Sequence, residues 1–82
     1  MSHSFPVDAP RGKVIAALER LGFRVVRVGN HVAMMRDASD GSRTTLTLPG
    51  KSTVKSSTLR TICTRAGIDR TEFLSAYYGD RE

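Results

Sequence analysis

The residue best suited to chemistry is His31, which lies in the segment Gly29-Asn30-His31 between two strand-like runs, 23–28 and 32–36. Histidine is the side chain whose ordinary pKa lies closest to neutral pH, so an imidazole held beside a phosphate can accept or donate a proton. Gly29 and Asn30 are typical of a tight hairpin turn, since both residue types tolerate a positive φ. The pattern leaves two interpretations open: a general acid or base in phosphodiester cleavage, or an exposed histidine with no chemical role.

Basic side chains are the second requirement of metal-free RNA cleavage, because negative charge develops on the phosphate during the reaction. Arg36 and Arg43 in strand-like runs, and Lys51 and Lys55 ahead of a predicted helix, are the candidates for binding RNA and supplying this charge. The alternative is a solvated charged face. The net charge of +5 and the sequence pI of about 10.2 favour a nucleic-acid partner.

Other kinds of site are disfavoured by the sequence. His3, His31 and Cys63 lack the spacing of zinc ligands, and no glycine-rich phosphate loop is present, so we expect no metal and no cofactor. Cys63 lies on an apolar helix stripe, which indicates a core residue in preference to a nucleophile. No apolar run approaches the length of a membrane span and no secretory signal is seen, so we expect a cytoplasmic protein without a membrane partner.

The elements that would position His31 follow from periodicity and turn residues. Apolar residues at helical spacing predict a first helix over 8–21, a second that is capped by Ser56 or Ser57 and ends at Gly67, and a short third opened by Asp69. Strand-like runs cover 23–28, 32–36 and 43–48. The predicted fold class is α+β: a three-stranded antiparallel sheet with two helices on one face in the order α-β-β-β-α, plus a short C-terminal helix. This is also the topology of double-stranded RNA-binding domains. We expect a single domain over 1–82 with flexible ends at about 1–7 and 79–82.

The chain resembles the HicA (YcfA-like) toxins, which are small mRNA interferases of type II toxin–antitoxin systems. The resemblance covers roughly residues 10–76 and rests on short stretches in a distinctive order. They are Lys13-Val14-Ile15, Leu18-Glu19-Arg20-Leu21-Gly22-Phe23, Val25-Val26-Arg27, Gly29-Asn30-His31, Leu46-Thr47-Leu48-Pro49, Thr58-Leu59-Arg60-Thr61-Ile62, Ala66-Gly67-Ile68 and Glu72-Phe73-Leu74.

The resemblance implies a catalytic role for His31, because the family pattern has Gly-Ser-His at the hairpin and its histidine is catalytic. It also implies cleavage of mRNA or tmRNA without a metal, a double-stranded RNA-binding-like fold, and a HicB-type antitoxin that covers the site. The chain departs from the pattern at three places: Asn30 replaces the serine, no histidine follows Pro49, and the glycine that usually precedes the second helix's Thr-Leu is Ser57. The alternative function is a non-catalytic nucleic-acid-binding module, or a degenerate toxin, on the same fold.

Overall fold

The computed structural model describes residues 4–79 and confirms the predicted α+β fold with a three-stranded antiparallel sheet and three helices. The elements are β1 (Asp8–Pro10), α1 (Arg11–Arg20), β2 (Arg24–Val28), β3 (Val32–Asp37), β4 (Arg43–Leu48), β5 (Thr53–Lys55), α2 (Ser56–Ala66) and α3 (Arg70–Tyr78). The expectation of flexible ends falls partly on residues 1–3 and 80–82, which lie outside the described residues. Within the described part, Phe5 packs against the core, with its ring centroid 6.0 Å from that of Phe73.

The sheet is a meander in the order β2-β3-β4 with one buried face and one open face. Val32 pairs with Leu48 and Met34 with Leu46, and all four side chains are buried. Because side chains alternate along a strand, the residues between them point to the other face, against which no helix or strand of residues 4–79 packs. β2 is an edge strand on which every residue is exposed.

A second, two-stranded sheet was missed by the sequence prediction. β1 pairs antiparallel with β5, and Ala9 and Val54 form its buried centre. The predicted helical start at Asp8 is therefore wrong: Pro10 has extended backbone (φ −58°, ψ 133°) and α1 begins at Arg11. β5 likewise lies between the third strand-like run and α2, where the sequence predicted no strand. Strands of three residues are too short to show an alternating pattern, and their pairing brings together distant parts of the chain.

The helices close the buried face. α2 buries the stripe that its sequence predicted, Leu59, Ile62, Cys63 and Ala66, and it packs against β4. The principal helical neighbour of α1 is α3. No helix within residues 4–79 is long and apolar enough to cross a membrane.

The predicted ends of α2 and α3 are correct except for the cap at the start of α2. Gly67 ends α2 in the left-handed conformation (φ 70°), and the Asp69 side chain accepts a hydrogen bond from the Thr71 backbone N–H at the start of α3. The predicted serine cap of α2 is wrong: the residue before the helix is Lys55, and no side chain caps the first turn. β5 leads directly into α2, so both serines already lie inside the helix.

Candidate functional site

His31 is the last residue of a three-residue loop that joins β2 to β3, and its side chain is exposed. The Gly29 backbone N–H donates to the His31 carbonyl oxygen at 3.1 Å, which closes the loop. The predicted turn with positive φ is wrong, because neither Gly29 nor Asn30 has a positive φ. The connection is a three-residue loop, and β2 has a register shift between Val25 and Arg27.

The segment that follows β4 supports this hairpin from the side. Register places Leu48, the last residue of β4, opposite Val32, so the chain passes the hairpin at Gly50. A Cβ atom at Gly50 would overlap the Asn30 carbonyl oxygen and lie 2.8 Å from the carbonyl carbon. Glycine is therefore required here by close backbone contact, and this contact fixes the loop that carries His31.

Two grooves meet at His31. The helix groove, about 400 Å³, lies between β4 and α2. Besides His31 it is lined by Thr45, Leu46, Thr47, Pro49, Thr58, Thr61, Ile62 and Arg65. The sheet groove, about 540 Å³, lies at the hairpin end of the open sheet face, and His31, Arg27, Gly29, Asn30, Ala33 and Thr47 line it. The imidazole thus borders both grooves and can reach a ligand that passes from one to the other.

Each groove contains one arginine. Arg27 lines the sheet groove and Arg65 the helix groove, both are exposed, and neither forms an ion pair with another residue of the described range. No Asp or Glu of the part of the chain that the structure describes lines either groove. An anion beside His31 therefore meets positive charge on both sides.

The site prediction did not include these two arginines. The register of the hairpin could have identified Arg27, because it pairs with Ala33 next to the loop. Arg65 follows Thr58 by seven residues and Thr61 by four, so the three share one polar helix face. Its approach to His31 depends on the packing of α2 on β4, which no local pattern reveals.

Two of the predicted RNA-binding residues lie at the other end of the sheet. Arg36 donates to the Leu21 carbonyl oxygen at 2.9 Å, and its guanidinium stacks 4.6 Å from the centre of the Phe23 ring. Arg43 donates to the Asp37 carboxylate at 2.9 Å. At about 3.3 Å per residue along β3, these side chains begin roughly 15–20 Å from the hairpin. The structure does not bring them to His31.

The Asp37 carboxylate balances the charge of this distant cluster. The hydrogen bond from Arg43 holds the pKa of Asp37 below its ordinary value, and Arg24, whose guanidinium lies 3.5 Å from the carboxylate, adds to the effect. Arg43 is therefore engaged within the protein, whereas Arg27 and Arg65 are available to a ligand.

The two predicted lysines are placed differently. Lys51 is exposed and follows Gly50, so its backbone lies beside the hairpin loop. Lys55 is the last residue of β5, paired with Asp8, and lines neither groove. Lys51 also lines neither groove, although it follows Gly50 in the chain, and Lys55 lies at the start of α2.

Other chemistry finds little support in the described residues. Residues 4–79 contain no group of three or more His, Cys, Asp or Glu side chains that could hold a metal ion. Cys63 is buried, and burial raises the pKa of its thiol from 9.0 to about 11, with a smaller contribution from Glu72. The thiol is thus protonated at neutral pH and unsuited to nucleophilic attack.

Comparison with known proteins gives one match. A family model described as HicA toxin of bacterial toxin-antitoxin matches residues 11–68, from the start of α1 to just beyond α2. This span includes His31, both strands of its hairpin and the whole helix groove. No curated protein and no solved structure matches the chain significantly.

Proposed function

The chain belongs to the HicA family of toxins of bacterial toxin–antitoxin systems, and we propose that it is an endoribonuclease that cleaves mRNA without a metal ion. His31 is the general acid or base of this reaction. One observation carries the proposal: the exposed His31 stands where two grooves meet, and within residues 4–79 each groove has an arginine without an ion pair and no lining carboxylate.

The chemistry follows from what RNA itself supplies. The ribose 2′-oxygen attacks the adjacent phosphorus, the bond from phosphorus to the 5′-oxygen breaks, and the products are a 2′,3′-cyclic phosphate and a 5′-hydroxyl. One proton must leave the 2′-hydroxyl and one must reach the departing 5′-oxygen. His31 performs one of these transfers. The guanidinium group of Arg27 stabilises the charge that develops on the phosphate oxygens.

Membership of a toxin–antitoxin family implies an antitoxin partner. We propose a HicB-type antitoxin that covers the two grooves and places acidic groups against Arg27, Arg65 and Lys51. Charge complementarity of this kind speeds association and excludes RNA from the same surface. Both RNA cleavage and neutralisation would then take place in the cytoplasm, where mRNA is found.

A second candidate, a nucleic-acid-binding module without catalysis, is favoured by one feature of the site. Among the described residues, the lining of the two grooves contains no second imidazole and no carboxylate for the other proton transfer. Where many family members have a histidine after the proline that ends the third strand of the meander, this chain has Gly50, Lys51 and Ser52.

Expression in cells without an antitoxin separates the two candidates. Growth arrest by the wild-type chain, absent with His31→Ala at equal protein level, is the expected result. Arrest by both proteins would refute the catalytic role of His31. Growth with both would favour the binding module. Co-expression of a cognate antitoxin is the control that assigns arrest to the toxin.

A further inference from the structure

We propose that the helix groove is a nucleotide subsite: it receives one unpaired base next to the phosphate on which His31 acts, and Arg65 holds a flanking phosphate. This inference rests on the proposed function and specifies which part of the RNA the site recognises. It makes Thr61 and Arg65 residues that determine substrate binding.

The composition of the groove matches a nucleotide. Its floor is apolar, formed by the largely buried Leu46 and Ile62 with the half-buried Pro49. Threonines line it on both sides, Thr45 and Thr47 from β4 and Thr58 and Thr61 from α2. A nucleobase has the same character, with apolar faces and a polar edge, and pockets for extruded bases use apolar contacts to the faces and hydrogen bonds to the edge.

The size of the groove also fits one nucleotide. Its volume of about 400 Å³ falls in the range of about 300–1,000 Å³ that is typical of small-ligand pockets. A base inside an RNA duplex is stacked and paired, so it cannot enter a groove between a strand and a helix without leaving the duplex. The scissile position should therefore be unpaired.

The positions of Arg65 and His31 define the path of the RNA strand through the helix groove. Both line the helix groove, and His31 also borders the sheet groove. A strand whose base lies between β4 and α2 can place one neighbouring phosphate against Arg65 and the other at His31. From there the strand continues past Arg27 over the open sheet face.

The side chains of α2 provide matched pairs for a test. Thr61 and Arg65 line the helix groove, whereas the equally exposed Thr64 and Arg60 line a separate cavity near the start of α3. Thr61→Trp fills the groove and Arg65→Gln removes its charge. Thr64→Trp and Arg60→Gln make the same changes outside it. The Thr61 hydroxyl donates only to the Ser57 carbonyl oxygen within the helix, at 3.1 Å, so its loss should leave the fold intact.

Binding is measured first, in full-length His31→Ala protein, with a fluorescent single-stranded RNA at fixed salt. Both groove variants should raise the Kd about tenfold, the effect expected from losing a charge-assisted contact or a bound base, and both controls should stay within about twofold. Thermal unfolding shows whether each variant is folded. If Thr61→Trp is unfolded, the comparison of the Kd values of Arg65→Gln and Arg60→Gln tests the subsite alone. Equal Kd values for groove and control variants would overturn the subsite.

Cleavage by the same variants with His31 intact separates this inference from the proposed function. The groove variants should raise KM about tenfold with a smaller change in kcat, and a fully paired duplex of the same sequence should be cleaved at least tenfold more slowly than the single strand. Cleavage that is insensitive to the groove variants, or equal on duplex and single strand, would refute the subsite and leave the nuclease. Absence of cleavage by the wild type, together with groove-dependent binding, would refute the nuclease and support the subsite.

Discussion

Replacing Gly50 by alanine should disturb the loop that carries His31. The added Cβ would overlap the Asn30 carbonyl oxygen and lie 2.8 Å from the carbonyl carbon and 3.6 Å from its Cα. These are backbone atoms, so no flexible side chain can move aside and the two segments must separate by more than about 1 Å. Overpacking of this kind costs about 1–3 kcal/mol of unfolding free energy. For a domain of this size each kcal/mol lowers Tm by about 4–8 °C.

The same displacement should reduce catalysis, because a catalytic group that moves by about 1 Å can lose up to about 10²-fold in rate. Gly29→Ala is the matched control in the same loop: a Cβ there meets nothing within 4 Å, and the φ of Gly29 is not positive. Its unfolding free energy should change by no more than about 0.5 kcal/mol. Thermal unfolding followed by circular dichroism, beside cleavage of a fluorogenic RNA, measures both effects. A Gly50→Ala protein that melts and cleaves like the wild type would refute the packing argument.

Three further predictions concern the core and the distant end of the sheet. Ile62→Ala should lose about 2–5 kcal/mol in chemical denaturation, because it leaves a cavity beneath α2, and a loss below about 1 kcal/mol would contradict its placement in the core. Cys63 should react with iodoacetamide at pH 8 about 100-fold more slowly in the native than in the unfolded chain. The reason is that a rise in the thiol pKa from 9.0 to about 11 lowers the thiolate fraction by about that factor. Equal reaction rates, followed by mass spectrometry, would contradict the burial of Cys63. Arg36→Lys keeps the charge but loses the stacking on Phe23, so it should lower stability by about 1 kcal/mol with unchanged RNA affinity. A weaker RNA affinity of the Arg36→Lys protein would indicate that Arg36 takes part in RNA binding.

Local pattern was enough to predict much of this fold. The stripe Leu59, Ile62, Cys63 and Ala66 repeats at helical spacing and is buried as expected. Gly67 ends α2 because glycine adopts the left-handed conformation at little cost. The pair β1 and β5 escaped prediction because three residues carry no periodicity and their partners are distant in the chain.

In the candidate site, too, some residues could be identified from the local sequence and others only from the tertiary packing. His31 could be singled out from its residue type and its place beside a turn. Arg36 could have been rejected from the sequence, since it shares the strand alternation of the buried Val32 and Met34 and so points to the helix side. Arg65 could not be found in this way, because only the packing of α2 on β4 brings it to the groove that His31 borders.

The most direct test of a catalytic His31 is cleavage of single-stranded RNA by the purified wild-type and His31→Ala proteins in the presence of EDTA. The His31→Ala protein should bind RNA with wild-type affinity, and its free energy of unfolding should lie within about 0.5 kcal/mol of the wild-type value. It should cleave RNA at least about 10²-fold more slowly, which is the usual contribution of a general acid or base. The wild-type products should end in a 2′,3′-cyclic phosphate and a 5′-hydroxyl. Equal cleavage rates for the two folded proteins would contradict the assignment of His31 as the catalytic residue.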